Sequence, residues 1–151
     1  MSKILCGLLL WFLLKGEFRN TFAKVDAIPM FVDSFPSLLK GNFSDDYGIH
    51  YTITDSLWIQ HPGIRYHILK YNSKENYIIA KNDETNSSSG SLYTRIDYIL
   101  FTNMKPYEWG FCLSVYNATT DSAAEFTYKA DRENPRKGCN GFPFSRMKKI
   151  N

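Results

Sequence analysis

From Asn42 onward the chain changes polarity every residue in short bursts, and each burst is cut off by turn-forming residues. Ile49, Tyr51 and Ile53 alternate with Gly48, His50 and Thr52, the period-2 pattern of a strand with one buried face. Leu57, Trp58 and Ile59 form a second burst, stopped by His61-Pro62-Gly63, a turn signal because Pro fixes its own backbone and Gly frees the next. Ile64, Tyr66 and Ile68 alternate with Arg65, His67 and Leu69, and further runs cover residues 77–80, 92–102 and 108–116. The connections are short or polar, the longest being the Ser-rich stretch at 82–91. Strand after strand with no helix between them predicts an antiparallel meander.

One helix is expected late in the chain. Thr119 to Ser122 supplies capping residues, and Ser122 with Glu125 has capping-box spacing, in which each side chain satisfies the other's free backbone donor. Ala123, Phe126, Thr127 and Ala130 then share one face, and Asn134-Pro135 ends the helix. The fold class read from this pattern is mainly β: six or seven strands closing as a small barrel or staying a curved sheet. One C-terminal helix and a tail pinned by a disulfide complete it.

The N-terminus reads differently. Met1-Ser2-Lys3 precedes an uncharged, mostly apolar run from Ile4 to Leu14, followed by Lys15-Gly16-Glu17. That is the layout of a signal peptide, and the run is shorter than the about 20 residues that cross a bilayer core. Val25-Asp26-Ala27 offers short residues where a signal peptidase reads, with Ala23 as the alternative cut. The expected organisation is a signal peptide at 1–27, an irregular lead-in at 28–41 and one β-rich domain at 42–151. The mature protein is expected to be secreted, periplasmic or on the cell surface, with no transmembrane span.

Cleavage after Ala27 would leave 14 Lys and Arg against 13 Asp and Glu, a balance that argues against a nucleic-acid partner. The charge is uneven. Lys129, Arg132, Arg136, Lys137, Arg146, Lys148 and Lys149 stand in one segment against Asp131 and Glu133, so that segment either meets an anionic surface or folds back onto the acidic body. Cleavage would also remove Cys6 and leave Cys112 and Cys139. An even pair in an oxidising compartment is expected to bond. A loop of this length stabilises by roughly 3–4 kcal/mol on the chain-entropy model. A zinc site is not expected, because two cysteines lack companion ligands.

Gly41-Asn42-Phe43 at the opening of the first strand, the late helix before a last short strand, and the disulfide tying the tail to the sheet resemble the lipocalin and wider calycin group. The resemblance covers the mature chain in outline. It implies a small barrel and transfers no site. Lipocalins carry Trp where this chain has Phe43, and Arg95-Ile96-Asp97-Tyr98 only approximates their Thr-Asp-Tyr motif.

Chemistry-bearing patterns are sparse. His50 and His67 fall in strands read as adjacent, but two histidines without a placed carboxylate make no metal site. No G-x-S-x-G, H-E-x-x-H or P-loop pattern occurs, and neither an activity nor a cofactor is expected. Arg95 and Asp97 share one face of their strand, with Tyr93 beside them. Inside a closed sheet they would anchor a ligand or form a buried ion pair, and on an outer face they would be solvated. Aromatic residues number 24, or 16% of the chain, and tyrosine suits binding surfaces because it joins a flat apolar face to a polar tip. The candidate binding residues are Trp58, Tyr66, Tyr93, Arg95, Asp97 and Trp109. The function expected is non-enzymatic binding of a small apolar ligand, a glycan or a protein surface. The alternatives are an inhibitor or host-surface factor acting through loops and the basic tail, or an unrecognised hydrolase. Three N-glycosylation acceptor patterns, at Asn42, Asn86 and Asn117, are left over.

Overall fold

The structure is a computed structural model that describes residues 34–151; the signal peptide with its cut sites at Ala23 and Ala27, Cys6, and the start of the lead-in lie outside the described residues. Eight strands among them close into one antiparallel barrel in sequence order. They are β1 (Gly41–Asp45), β2 (His50–Ile53), β3 (Leu57–Gln60), β4 (Ile64–Asn72), β5 (Tyr77–Asn82), β6 (Tyr93–Leu100), β7 (Trp109–Ala118) and β8 (Ser145–Lys149). One helix, α1 (Asp121–Glu125), lies between β7 and β8. Closure satisfies the backbone groups that an open sheet would leave at its edges. The barrel shape agrees with what the lipocalin resemblance implies.

Alternation decides what fills it. Phe43, Tyr51, Trp58, Trp109 and Phe111 turn inward and meet ring against ring, with centroids 5.1–6.4 Å apart and mostly edge-to-face. Such contacts add about 0.5–1.5 kcal/mol per pair beyond the area they bury. Ile53, Tyr66, Ile78, Ala80, Ile96, Tyr98 and Met147 complete the interior. An eight-stranded barrel is just wide enough for side chains to fill, and here bulky rings occupy it. The lead-in contributes more than connection: Leu39, on a 3-10 turn at Ser37–Leu39, is fully buried, and Phe35 packs edge-on to Tyr71.

Four expectations are corrected. The strands number eight, not six or seven, and the last short strand is β8, whose sequence Ser-Arg-Met-Lys-Lys buries only Met147. A strand that buries one side chain has no apolar alternation to read, so it looked like a basic tail. The helix is a turn and a half long and does not reach Pro135. Its cap is Thr120, whose hydroxyl accepts from Ala123 N–H, and Glu125 turns to Lys70 and Tyr77 instead of forming a capping box. The Glu125 carbonyl, which the next helical turn would need, accepts from Arg95 Nη1 at 2.6 Å. Phe126, expected on the packed face, is 86% exposed as a result. His50 and His67 are not on neighbouring strands, since β3 runs between β2 and β4.

The fourth correction concerns Arg95 and Asp97. They do point out of the barrel, opposite Ile96 and Tyr98, yet both are fully buried. α1 and the following segment cover them. Asp97 accepts from Arg95 Nε and Nη2 at 3.0 Å each, from Arg132 Nη2 at 2.6 Å, from Ala130 N–H at 3.3 Å and from the Ser114 hydroxyl. Arg95 also lies 4.0 Å over the Tyr77 ring. β7 supplies two extra residues between its partners of Tyr93 and Ile96. These bulges let Ser114 reach Asp97 while Val115 packs on the outer apolar cluster with Tyr77, Ile79 and Ala124.

The tail returns to the sheet through a disulfide between Cys112 and Cys139. Cys112 faces outward beside Asp97, as alternation from Phe111 requires. Gly138 passes so close to the cover segment that a Cβ there would fall 1.8 Å from the Asp131 carbonyl oxygen. No other residue fits that crossing.

Candidate functional site

The last strand, β8, is short and pairs briefly with each neighbour. β8 pairs with β7 only at Trp109, Gly110 and Phe111, and with β1 only at Phe43, Ser44 and Asp45. Beyond Phe111 the tail-side edge of β7 therefore faces the β1–β2 turn and the tight turn from Cys139 to Phe142. A cleft of about 620 Å³ lies in this seam. Its floor is the end of the aromatic core, Tyr51 and Phe111, with Ile49 and Leu113 beside them. Its rim carries Tyr47, Tyr116 and Phe142, which are 66%, 53% and 71% exposed. A smaller cleft of about 230 Å³ over the barrel mouth shares Gln60, Leu113 and Tyr116 with it.

Asp45 positions the wall that holds Tyr47. Its carboxylate is buried and accepts from Tyr47 N–H at 3.0 Å, Ile49 N–H at 2.8 Å and the Tyr51 hydroxyl at 3.0 Å. The turn closes at Gly48, whose φ of +82° favours a residue without a Cβ. Burial, then the Asp45 charge, pushes the Tyr51 phenol far above its ordinary range, so it stays a donor to Asp45. The opposite wall is held by the disulfide and by Asn140, whose Nδ2 reaches the carbonyls of Leu113 and Ser114 at 3.4 Å. The rim is thus presented on two fixed turns, which hold Tyr47 and Phe142, and on β7, which holds Tyr116.

The six candidate binding residues separate. Trp58, Tyr66 and Trp109 belong to the interior, and of these only Tyr66 reaches a cleft wall. Burial raises the Tyr66 phenol above its usual range. Tyr93 is half-buried against the outer cluster, and Arg95 and Asp97 lie under α1. They form no common site. Sequence reasoning read Ile49 only as a strand residue and missed Tyr47 and Phe142, which sit on turns where no periodicity marks them; solvent-facing aromatics beside turn residues were the available signal.

The basic segment divides between structure and surface. Lys129 pairs with Glu75, Arg132 with Asp97 and Arg146 with Asp46. Arg136, Lys137, Lys148 and Lys149 have no ion pair among the described residues. A third cleft, of about 550 Å³, places Arg136 and Arg146 around Phe101 and Met104, next to Tyr47 and Pro143. Elsewhere, His67 Nε2 lies 2.8 Å from Asp83, whose carboxyl is held well below the usual range by Thr85 first and His67 second. That pair closes the turn after β5. His61 Nε2 meets the Thr52 hydroxyl at 2.9 Å, and the same hydroxyl donates to Asn42 Oδ1. Among the described residues no group of three or more His, Cys, Asp or Glu is arranged to hold a metal ion, and no helix is long and apolar enough to cross a membrane.

No protein-family model matches the chain, and neither a curated protein nor a solved structure is similar to it at a significant level.

Proposed function

We propose that this chain is a secreted, non-enzymatic binding protein that captures a polypeptide partner across the cleft beside β8. The lipocalin resemblance supplies the frame for this reading, but the mode of binding differs from a ligand held inside a barrel. One observation carries it. Interlocked rings occupy the interior, while Tyr47, Tyr116 and Phe142 stand exposed around a cleft in the wall. Exposed aromatics clustered at a concave surface are what protein-binding sites use, since each buries a large flat area at small entropic cost.

Arg136, beside the adjoining cleft and without an ion pair among the described residues, favours a partner with a carboxylate near its apolar anchor. The pairing of Lys129 with Glu75 and of Arg132 with Asp97 argues against the whole basic segment acting as one anionic-surface patch.

The test uses the oxidised full chain and peptides selected on it from a random display library. Tyr116→Ala and Phe142→Ser are each expected to weaken the selected peptides by about tenfold or more, the loss of one interface anchor. Selected peptides indifferent to both substitutions would sink the reading. So would native mass spectrometry that finds an apolar small molecule still bound when both are made.

A further inference from the structure

The three N-glycosylation acceptor patterns are alike in sequence but sit in three different environments. Asn86 is 8% exposed and fully engaged: its Oδ1 accepts from Arg65 N–H at 2.9 Å and its Nδ2 donates to the Arg65 carbonyl at 2.8 Å. This reciprocal pair pins the β5–β6 loop to β4. A sugar on that nitrogen would have to occupy the space between loop and strand, so a modified Asn86 and this fold exclude each other. Asn42 is exposed but lies within β1, which is paired on both sides, and its Oδ1 accepts from Thr52 at 3.0 Å. Asn117 is exposed at the far end of β7, and its side chain makes no hydrogen bond among the described residues. Its pattern ends in an exposed Thr119, just before the Thr120 helix cap.

We infer that Asn117 is an N-glycan attachment site, that Asn86 is not, and that Asn42 is at most the lesser acceptor. The inference rests on the reading that the chain enters a secretory pathway, and it takes an oligosaccharide carried on a lipid diphosphate as co-substrate. The Asn117 Nδ2 attacks the anomeric carbon, forming a C–N bond. The anomeric C–O bond breaks, the lipid diphosphate leaves with the electron pair, and the displaced amide proton passes to a base of the transferase. Tyr116 lines the seam and mouth clefts whereas Asn117 lines neither. A glycan here flanks the binding cleft without filling it.

The experiment expresses the full chain with its own N-terminus in a eukaryotic secretory cell. Protein from the medium is treated with peptide N-glycosidase in heavy-oxygen water, which converts each modified Asn to labelled Asp, and is read by peptide mass spectrometry. Label is expected at Asn117, less at Asn42 and none at Asn86. Thr119→Ala and Asn117→Gln should each remove the Asn117 label from a protein that is still secreted, and Ser88→Ala should leave the mass of the attached glycan unchanged. Secreted protein without a glycan at Asn117, or with more at Asn42 or any at Asn86, overturns the inference. A chain retained in the cytosol with Cys112 and Cys139 reduced overturns it by a different route, because the secretion reading then fails first.

Discussion

The two faces of β6 are buried by opposite means. Inward, Ile96 and Tyr98 enter a core of interlocked rings, where contacts are apolar and non-directional. Outward, Arg95 and Asp97 are equally inaccessible, but every contact is directional: two arginines, a hydroxyl and a backbone N–H converge on one carboxylate. The inner face needs the right volume. The outer face needs all of its partners at once, because a buried charge left unpaired costs more than the pair contributes. The inner face holds the barrel together, and the outer one dictates where α1 stops and where the tail lies.

Removing one partner from the outer face should therefore have the largest effect. Asp97→Ala leaves Arg95 buried without its carboxylate and is expected to cost about 3–5 kcal/mol in urea unfolding. Replacing both, Arg95→Met with Asp97→Leu, should cost less than Asp97→Ala alone. A double variant no better than the single would show that the face works by shape and would erase the contrast with the interior. Next in size is the disulfide. Cys112→Ala with Cys139→Ala should lose about 2–4 kcal/mol by the same measurement, since the bridge holds the cover against β7.

Acid sharpens the comparison further. Burial alone would raise the Asp97 carboxyl, but the hydrogen bonds from Arg95 and Ser114 and the Arg95 charge outweigh it and hold the group below its ordinary range. A carboxyl with a lowered folded-state pKa contributes stability that is fully present above its unfolded value, about 3.9, and lost as pH falls through the folded value. Melting temperature should thus fall on acidification below about pH 4, and Asp97→Ala should flatten that limb. An unchanged acid limb in the variant would assign the loss to other carboxylates. Inside the barrel the expectations are smaller: Ile53→Val should cost only about 0.5–1.5 kcal/mol, the price of one methylene. Smallest of all, Tyr116→Ala on the exposed rim should shift stability by less than about 0.5 kcal/mol, which separates its binding role from folding.

What could be read in advance divides along the same line. Strands β2 to β7 were legible from strand alternation and from apolar runs cut off by turn residues. The facing of Arg95 and Asp97 was legible for the same reason. Their burial was not, since it depends on residues 114, 125, 130 and 132 arriving from elsewhere. β8 hid because hydrogen bonds to β1 and β7, not apolar residues, define it. The cleft rim hid because Tyr47 and Phe142 are set by turns and by a long-range disulfide, neither of which leaves a period. Of the candidate binding residues, only Tyr66 touches a cleft.

The disulfide closes a ring of chain that runs from the end of β7 through α1 and the segment covering the outer face of the barrel. Phe126 and Tyr128, 86% and 64% exposed, are its most accessible aromatic residues and natural points for a chymotrypsin-like protease to cut. A single cut there would not release a fragment: the two pieces remain one covalent molecule until the bridge is reduced. The cover over Arg95 and Asp97 can thus be nicked and still stay attached, so a cleaved form would migrate as intact protein on a non-reducing gel and as two bands on a reducing one.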